Sequence, residues 1–524
     1  MRYTKKVIFI GLIKSFMFSN AVLALPFNIV PNGTLPTTVP IGGTVSATYT
    51  ITNTTKLNPP YNLIKWLPLN TAVNPSITTC TPTNAFVLNH GASCTLGLTI
   101  SGPINRDDPN SHQHLFVCMS DQATCAGPTP ENSLNVIQGS PAFYVAAGAF
   151  GENTNQPGIA RSTDGKTWTT ETLSPPNFLY GSFQGVSCLN QLCVVGGLYS
   201  NFGSLNDNQP GIAVSRNAGV TWSQQAFTNL PTSPVSMDSG QLNGNDCTSQ
   251  GCVLVGYFSS NTTFKNYAAI FTSTDETNWS YQALSLPVNV DDVVLNGINC
   301  DTGICVAVGN FLDHSSGIQH PGVAISPDRT NWTQIQLTLP SGYSEDASLN
   351  GVSCIQNSCV AAGNFTQDST FNNFPGIVIN TDNSQTTWAE LVLSTLPEPP
   401  GITLVQGTLN GISCTTTACL AVGSYSDTFN NFYPAIAMSM DSQHIVWSQT
   451  ALTELPSFSG IPMISGGFTG VTCAGTFCVA VGAYEDASFK QYLGVAYSMN
   501  NGNSWTQQVL STAPLDNDEL LGVS

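Results

Sequence analysis

A chain of 524 residues with 13 Lys+Arg against 31 Asp+Glu, a formal net charge of -18 and 41% hydrophobic positions has ample material for a core and almost no cationic surface. Charged residues fill only 8% of positions, far below the roughly 25% of ordinary soluble domains, and Asn, Thr, Ser, 46 Gly and 32 Pro take the polar share, which is a turn-rich, all-β composition. So few cations cannot displace phosphate counterions, which sets nucleic acid aside as a partner. At the N-terminus Lys5 and Lys6 precede an apolar run from Val7 to Ile13. After Lys14 a second stretch leads through Phe16 to Val22-Leu23-Ala24, whose small residues suit signal-peptidase cleavage before Leu25. Residues 1 to 24 are thus read as a signal peptide. Lys14 leaves the run too short to span a bilayer, and no later segment approaches 18 uncharged apolar residues, so no membrane span is expected. The mature chain is expected to be a monomer, secreted, periplasmic or on the cell surface. Its sixteen cysteines, an even number, suit an oxidising compartment.

Residues 25 to 138 read as a separate β-sandwich. The stretch TVPIGGTVSATYTITN from Thr38, followed by GASCTLGLTI from Gly91, resembles Hydin-type Ig-like domains of bacterial surface and exported proteins. Cys80 with Cys94, and Cys118 with Cys125, are expected to form two local bridges. The Pro/Glu/Asn stretch from Gly127 to Gln138 reads as a linker.

From residue 139 to 524 the chain repeats. GVSCLNQLCVVGG at Gly185, NDCTSQGCVLVGY at Asn245, INCDTGICVAVGN at Ile298, VSCIQNSCVAAGN at Val352, ISCTTTACLAVGS at Ile412 and VTCAGTFCVAVGA at Val471 all carry Cys-x4-Cys. Each is followed by an apolar triplet and a Ser/Thr-Asp/Asn turn ending in Trp. The tryptophans of this kind number seven, Trp168, Trp222, Trp279, Trp332, Trp388, Trp447 and Trp505, spaced 53 to 59 residues apart. A period this long, holding four short strand-like runs, is the mark of propeller blades rather than solenoid coils. One unit parses as strand A from Leu349 to Cys354, strand B from Cys359 to Phe365, strand C from Gly376 to Asn380 and strand D from Trp388 to Leu393. The ends supply the seventh unit: residues 143 to 149 match strand B without a strand A, and 520 to 524 match strand A with nothing after it. The fold class expected is therefore all-β, a seven-bladed β-propeller with an N-terminal Ig-like β-sandwich, closed by pairing of 520–524 with 143–149. The turn before each Trp, as in SRNAGVTW at Ser215 and SMNNGNSW at Ser498, resembles the Asp box of bacterial-neuraminidase-repeat propellers, with Asn for Asp. That resemblance implies a structural C–D turn at the rim and no activity by itself.

Every Cys-x4-Cys joins strand A to strand B, so the pairs Cys188–Cys193, Cys247–Cys252, Cys300–Cys305, Cys354–Cys359, Cys414–Cys419 and Cys473–Cys478 read as intrablade disulfides, with zinc as the rival. No cofactor and no metal is expected. A sialidase reading requires an arginine triad. This region holds only Arg161, Arg216 and Arg329, each beside a C–D turn and away from the axis. Other glycosidases need two carboxylates, and acids do occur in the B–C and D–A loops: Asp313, Asp368, Asp427, Glu485 and Asp486, then Asp291, Asp292, Glu345, Asp346 and Asp518. Solvated surface is the plainer account of them. The B–C loops also repeat aromatics: Phe371-Asn372-Asn373-Phe374, Phe429-Asn430-Asn431-Phe432, Phe264-Lys265-Asn266-Tyr267 and Phe489-Lys490-Gln491-Tyr492. Either one aromatic caps each blade edge, or together they form a surface for stacking on sugars or gripping peptides. The functional expectation is a binding protein rather than an enzyme. Its ligand, a glycan or an extracellular protein, is placed on Asp368, Phe371, Phe374, Asp427, Phe429 and Phe432 of the B–C/D–A face. A glycoside hydrolase with a carboxylate pair near the propeller axis is the alternative.

Overall fold

The computed structural model describes residues 25–39, 44–102, 104, 114–138, 143–151, 155–201, 208–301, 304–355, 358–380, 382, 386–415, 418–441, 443–510 and 518–524. The segment read as a signal peptide lies outside the described residues. Strands form the regular structure of both compact units, which divide between Ile137 and Gln138. No helix among the described residues is long and apolar enough to cross a membrane.

The first unit holds a four-stranded sheet in the order Phe27–Pro31, Val45–Asn53, Ser93–Ile100, Thr71–Val73. A three-stranded sheet runs Asn62–Trp66, Phe116–Met119, Cys125–Ala126. Period-two alternation in Val45–Asn53 turns Tyr49 and Ile51 inward, where they share one core with Leu96, Leu98, Val117 and Met119. Cys80–Cys94 and Cys118–Cys125 are bonded as expected.

The second unit consists of seven antiparallel sheets. Sheet 1 takes its A strand, Glu519–Val523, from the end of the chain, and its B, C and D strands, Tyr144–Phe150, Gln156–Ser162 and Trp168–Thr172, from the start of the unit. Ala146 faces Val523 and Ala149 faces Glu519. Sheets 2 to 7 follow in chain order from A strands Tyr180–Leu189, Ser239–Thr248, Val290–Asp301, Ala347–Ile355, Leu404–Cys414 and Ile461–Ala474. Sheet 7 adds a short fifth strand, Ser457–Phe458. The B strands are apolar on both faces because each sheet packs between two others: Val306 and Val308 of sheet 4 join the core of sheet 5, while Cys305 and Ala307 join that of sheet 3.

Two sets of side-chain hydrogen bonds link successive A strands, four bonds in the first and six in the second, and neither involves charge pairing. Every A strand is bulged just before a glycine. The residue pushed out is asparagine in four sheets, and its Nδ2 donates to a carbonyl of the following sheet: Asn243 to Leu295 O (2.9 Å), Asn296 to Leu349 O (2.9 Å), Asn350 to Leu409 O (2.8 Å) and Asn410 to Phe468 O (2.9 Å). The residue before each first cysteine accepts the amide of the next sheet's cysteine. Ser187 takes Cys247 N (2.9 Å), Asp246 takes Cys300 N (2.6 Å), Asn299 takes Cys354 N (2.8 Å) and Ser353 takes Cys414 N (3.0 Å). Ser413 takes Cys473 N (3.1 Å), and Ser524 takes Cys188 N (2.9 Å), so the last residue engages sheet 2. All six Cys-x4-Cys pairs are disulfides within their own hairpins, and no cysteine is free. Zinc therefore has no thiolate to bind, and the hairpins reach their neighbours through cysteine backbone rather than sulfur.

Candidate functional site

The A–B hairpins and C–D turns leave the sheets on one side, and the chemistry there is committed to structure. Asp164 accepts the amides of Lys166 (2.8 Å) and Thr167 (2.7 Å), and Asp275 and Asp328 repeat the pattern. Trp168, Trp222, Trp332, Trp447 and Trp505 each donate Nε1 to the carbonyl three residues back. The three arginines stitch turn to turn. Arg161 reaches Ala218 O (2.6 Å), Arg216 reaches Asp275 O (2.7 Å) and Glu276 (3.3 Å), and Arg329 reaches Gly251 O (3.1 Å) and Thr248. Arg216 also lines a pocket with Trp222 and Gln224, where its guanidinium is already paired with Glu276.

Backbone amides hold the carboxyls of Asp164, Asp275 and Asp328 well below the usual carboxylate range. Asp246 moves the other way, pushed up to about 6 because burial outweighs the hydrogen bonds from the amide of Cys300 and the hydroxyl of Ser187 that favour its charged form. The two groups give opposite pH signatures. For the depressed carboxyls, the stabilisation is present above about pH 4 and lost as pH falls through their folded values. For Asp246, whose folded pKa is raised, it is present below about pH 4 and lost as pH rises to about 6. Urea unfolding at stepped pH is expected to show stability peaking near pH 4 to 5, and Asp246→Asn should flatten the decline from pH 4 to 6.

The B–C and D–A connections leave on the opposite side. In five sheets the B–C turn ends on a residue with left-handed backbone. Gly317 (φ 69) fills it in sheet 4 and Asn430 (φ 64) in sheet 6, the residue types that tolerate it. In sheets 3, 5 and 7 the position is Phe264 (φ 57), Phe371 (φ 58) and Phe489 (φ 63). Their rings are 87%, 69% and 77% exposed, and Phe429, one residue before Asn430, is 83% exposed.

The remaining residues expected at the site divide. Phe432 is 44% exposed and donates its amide to Ser465 Oγ (3.2 Å). Phe374 is half-buried, opposes Phe365 and packs edge-on against Tyr343 at 6.0 Å. Its equivalent in sheet 6 is Tyr433, which stands before Pro434 as Phe374 stands before Pro375. Phe374 and Phe432 are thus not counterparts. Asp368 is half-buried and accepts the amide of Ser344. Asp427 is buried and accepts Phe429 N (2.8 Å), Asn431 N (3.0 Å) and Tyr433 OH (3.3 Å). Burial alone would raise its carboxyl, but these bonds hold it low. It caps its own turn, as Asp486 does with Ser488, Lys490 and Tyr492.

On the same face the consecutive carboxyls of Asp291 and Asp292 are pushed apart. Hydrogen bonds from Lys265 and from His314 (2.9 Å) lower Asp291, whereas burial raises Asp292, which accepts Asn266 N at 2.5 Å.

Where the A strands meet, they enclose an axial cavity of about 470 Å³ with contributions from all seven sheets. Among the described residues no Asp or Glu lines it, so the carboxylate pair anticipated near the axis is not found in this lining. Its amides have a visible sequence signal in the repeated Leu-Asn-Gly triplets at Leu242, Leu295, Leu349 and Leu409.

No protein-family model matches the sequence, and no curated protein matches it. Among solved structures, the chain is similar to the α-L-arabinanase of Penicillium chrysogenum at 11% identity, covering 64% of this chain and 96% of that one, with a TM-score of 0.37. It is similar to the β-propeller domain of the Trilobed protease from Pyrococcus furiosus at 6% identity, covering 70% and 95%, with a TM-score of 0.38. The GH74 xyloglucanase from Xanthomonas campestris is similar at 10% identity, covering 69% and 68%, with a TM-score of 0.31. No residue role is carried over at this distance.

Proposed function

We propose that the chain is an exported binding protein, an Ig-like sandwich followed by a seven-bladed, disulfide-stapled Asp-box propeller, with a glycan or an extracellular protein docking on the B–C/D–A face. One observation carries the reading. Three sheets place phenylalanine where two others use glycine or asparagine. A left-handed bulky residue costs about 1–2 kcal/mol, and a ring so exposed recovers little of that by burial. The aromatics serve contact with something outside the chain. Amide neighbours such as Asn372, Asn431 and Gln491 place hydrogen-bonding groups beside them, the combination that stacks on sugars or anchors peptides.

Replacing Phe264, Phe371, Phe429 and Phe489 together with serine is expected to weaken binding at least tenfold on a glycan array or against captured protein, with the melting temperature unchanged. Unfolding of that variant would make the rings structural caps. Glycoside hydrolysis is the second reading, supported by the split titration of Asp291 and Asp292, since an acid and a base are made by driving two carboxyls apart. Reducing sugar released by the parent and lost in both Asp291→Asn and Asp292→Asn would favour it over binding alone.

A further inference from the structure

The axial cavity is a second site, separate from the aromatic face. Asn243, Asn296, Asn350 and Asn410 each direct one N–H into the wall, onto a carbonyl of the following sheet. Their oxygens are left on the cavity side of the account: Asn243 Oδ1 accepts only Gln241 and Asn350 Oδ1 only Ser348, while Asn296 and Asn410 Oδ1 accept nothing among the described residues. Among the described residues the lining therefore offers amide oxygens at Asn296 and Asn410 and an unused amide N–H at Asn243, Asn350 and Asn410.

Directly after six of the seven bulge glycines stands an aliphatic residue, Val186, Ile298, Val352, Ile412, Val471 or Val523, with Asn245 in the remaining sheet, and these add apolar walls next to the amides. A bare cation would meet no carboxylate among the lining residues and would face hydrocarbon beside the amides, so charge is poorly served. An anion would meet amide oxygens and no cationic side chain among the lining residues. A molecule with O–H donors and C–H faces satisfies both surfaces, and the volume falls in the range of small-ligand sites.

We infer that the axial cavity binds a neutral polyhydroxylated molecule of monosaccharide to disaccharide size, its hydroxyls donating to the asparagine ring and its C–H faces against the aliphatic ring.

The test is saturation-transfer NMR on the full chain with glucose, galactose, xylose and mannitol as probes. Transfer from protein methyls to the C–H protons of at least one probe is expected. Gln184→Trp should weaken binding at least tenfold, because this side chain lines the cavity and bonds only Ser182 of its own strand, so the indole fills the space without breaking a link between sheets. Asn410→Ala, checked for an unchanged fold by circular dichroism, should weaken it as well. The four-serine variant of the aromatic turns should keep the signal, which separates failure of this site from failure of the other face. No transfer with any probe, transfer indifferent to Gln184→Trp, or a calcium or potassium ion bound in the cavity in place of sugar would overturn the inference.

Discussion

Gly363→Ala is expected to cost at least about 4 kcal/mol, the upper range for a single substitution. A Cβ at this position in the B strand of sheet 5 would lie 1.9 Å from Ser348 O and 2.9 Å from Leu349 Cα, and both obstacles are backbone. The cause is the bulge facing it: expelling Asn350 toward the axis swings the preceding carbonyl inward onto the B strand. Gly197, Gly256, Gly309 and Gly423 show the same 1.9 Å approach in their own sheets. Gly317→Ala is the control, since nothing lies within 4 Å of its added Cβ and only the left-handed backbone (φ 69) opposes it, at about 1 kcal/mol. Urea unfolding of the two variants measures the difference. Equal costs would mean that the bulges yield easily.

Deleting Leu520 to Ser524 is expected to produce aggregation and a large fall in melting temperature. The deletion removes the fully buried Leu520, the paired bonds between Val145 and Ser524 (3.0 and 2.9 Å) and the Ser524–Cys188 link. It also strips the neighbour from Tyr144–Phe150, a strand buried at every position, and leaves a long apolar edge open to pairing with other copies. Light scattering during a thermal ramp reports both effects. A truncated chain as soluble and stable as the parent would show that this strand contributes little to the unit.

The repeats made much of the architecture legible, because covalent and packing requirements recur with every sheet. Cys-x4-Cys predicted its own bridge, and the stretch read as strands A to D around Leu349 to Leu393 lies within one antiparallel sheet. The site was less legible for three physical reasons. A side chain that bonds across to another sheet, as Asn350 does, leaves no periodic trace beyond its triplet. A carboxylate that caps its own turn, as Asp427 does, has the same sequence appearance as one free to bind. The offset of one residue between Phe371 and Phe429 relative to the left-handed position made Phe374 and Phe432 look equivalent, although backbone geometry pairs Phe374 with Tyr433.

The borrowed A strand of sheet 1 also sets a clock on biosynthesis. Its partner Tyr144–Phe150 emerges roughly 370 residues before Glu519–Val523, and at about 5–20 residues per second that is a wait of roughly 20 to 70 seconds. During that interval six sheets can be complete while the first lacks its innermost strand. Whatever handles the nascent chain must shield one apolar edge until Glu519–Val523 arrives, and that seam forms between segments far apart during synthesis.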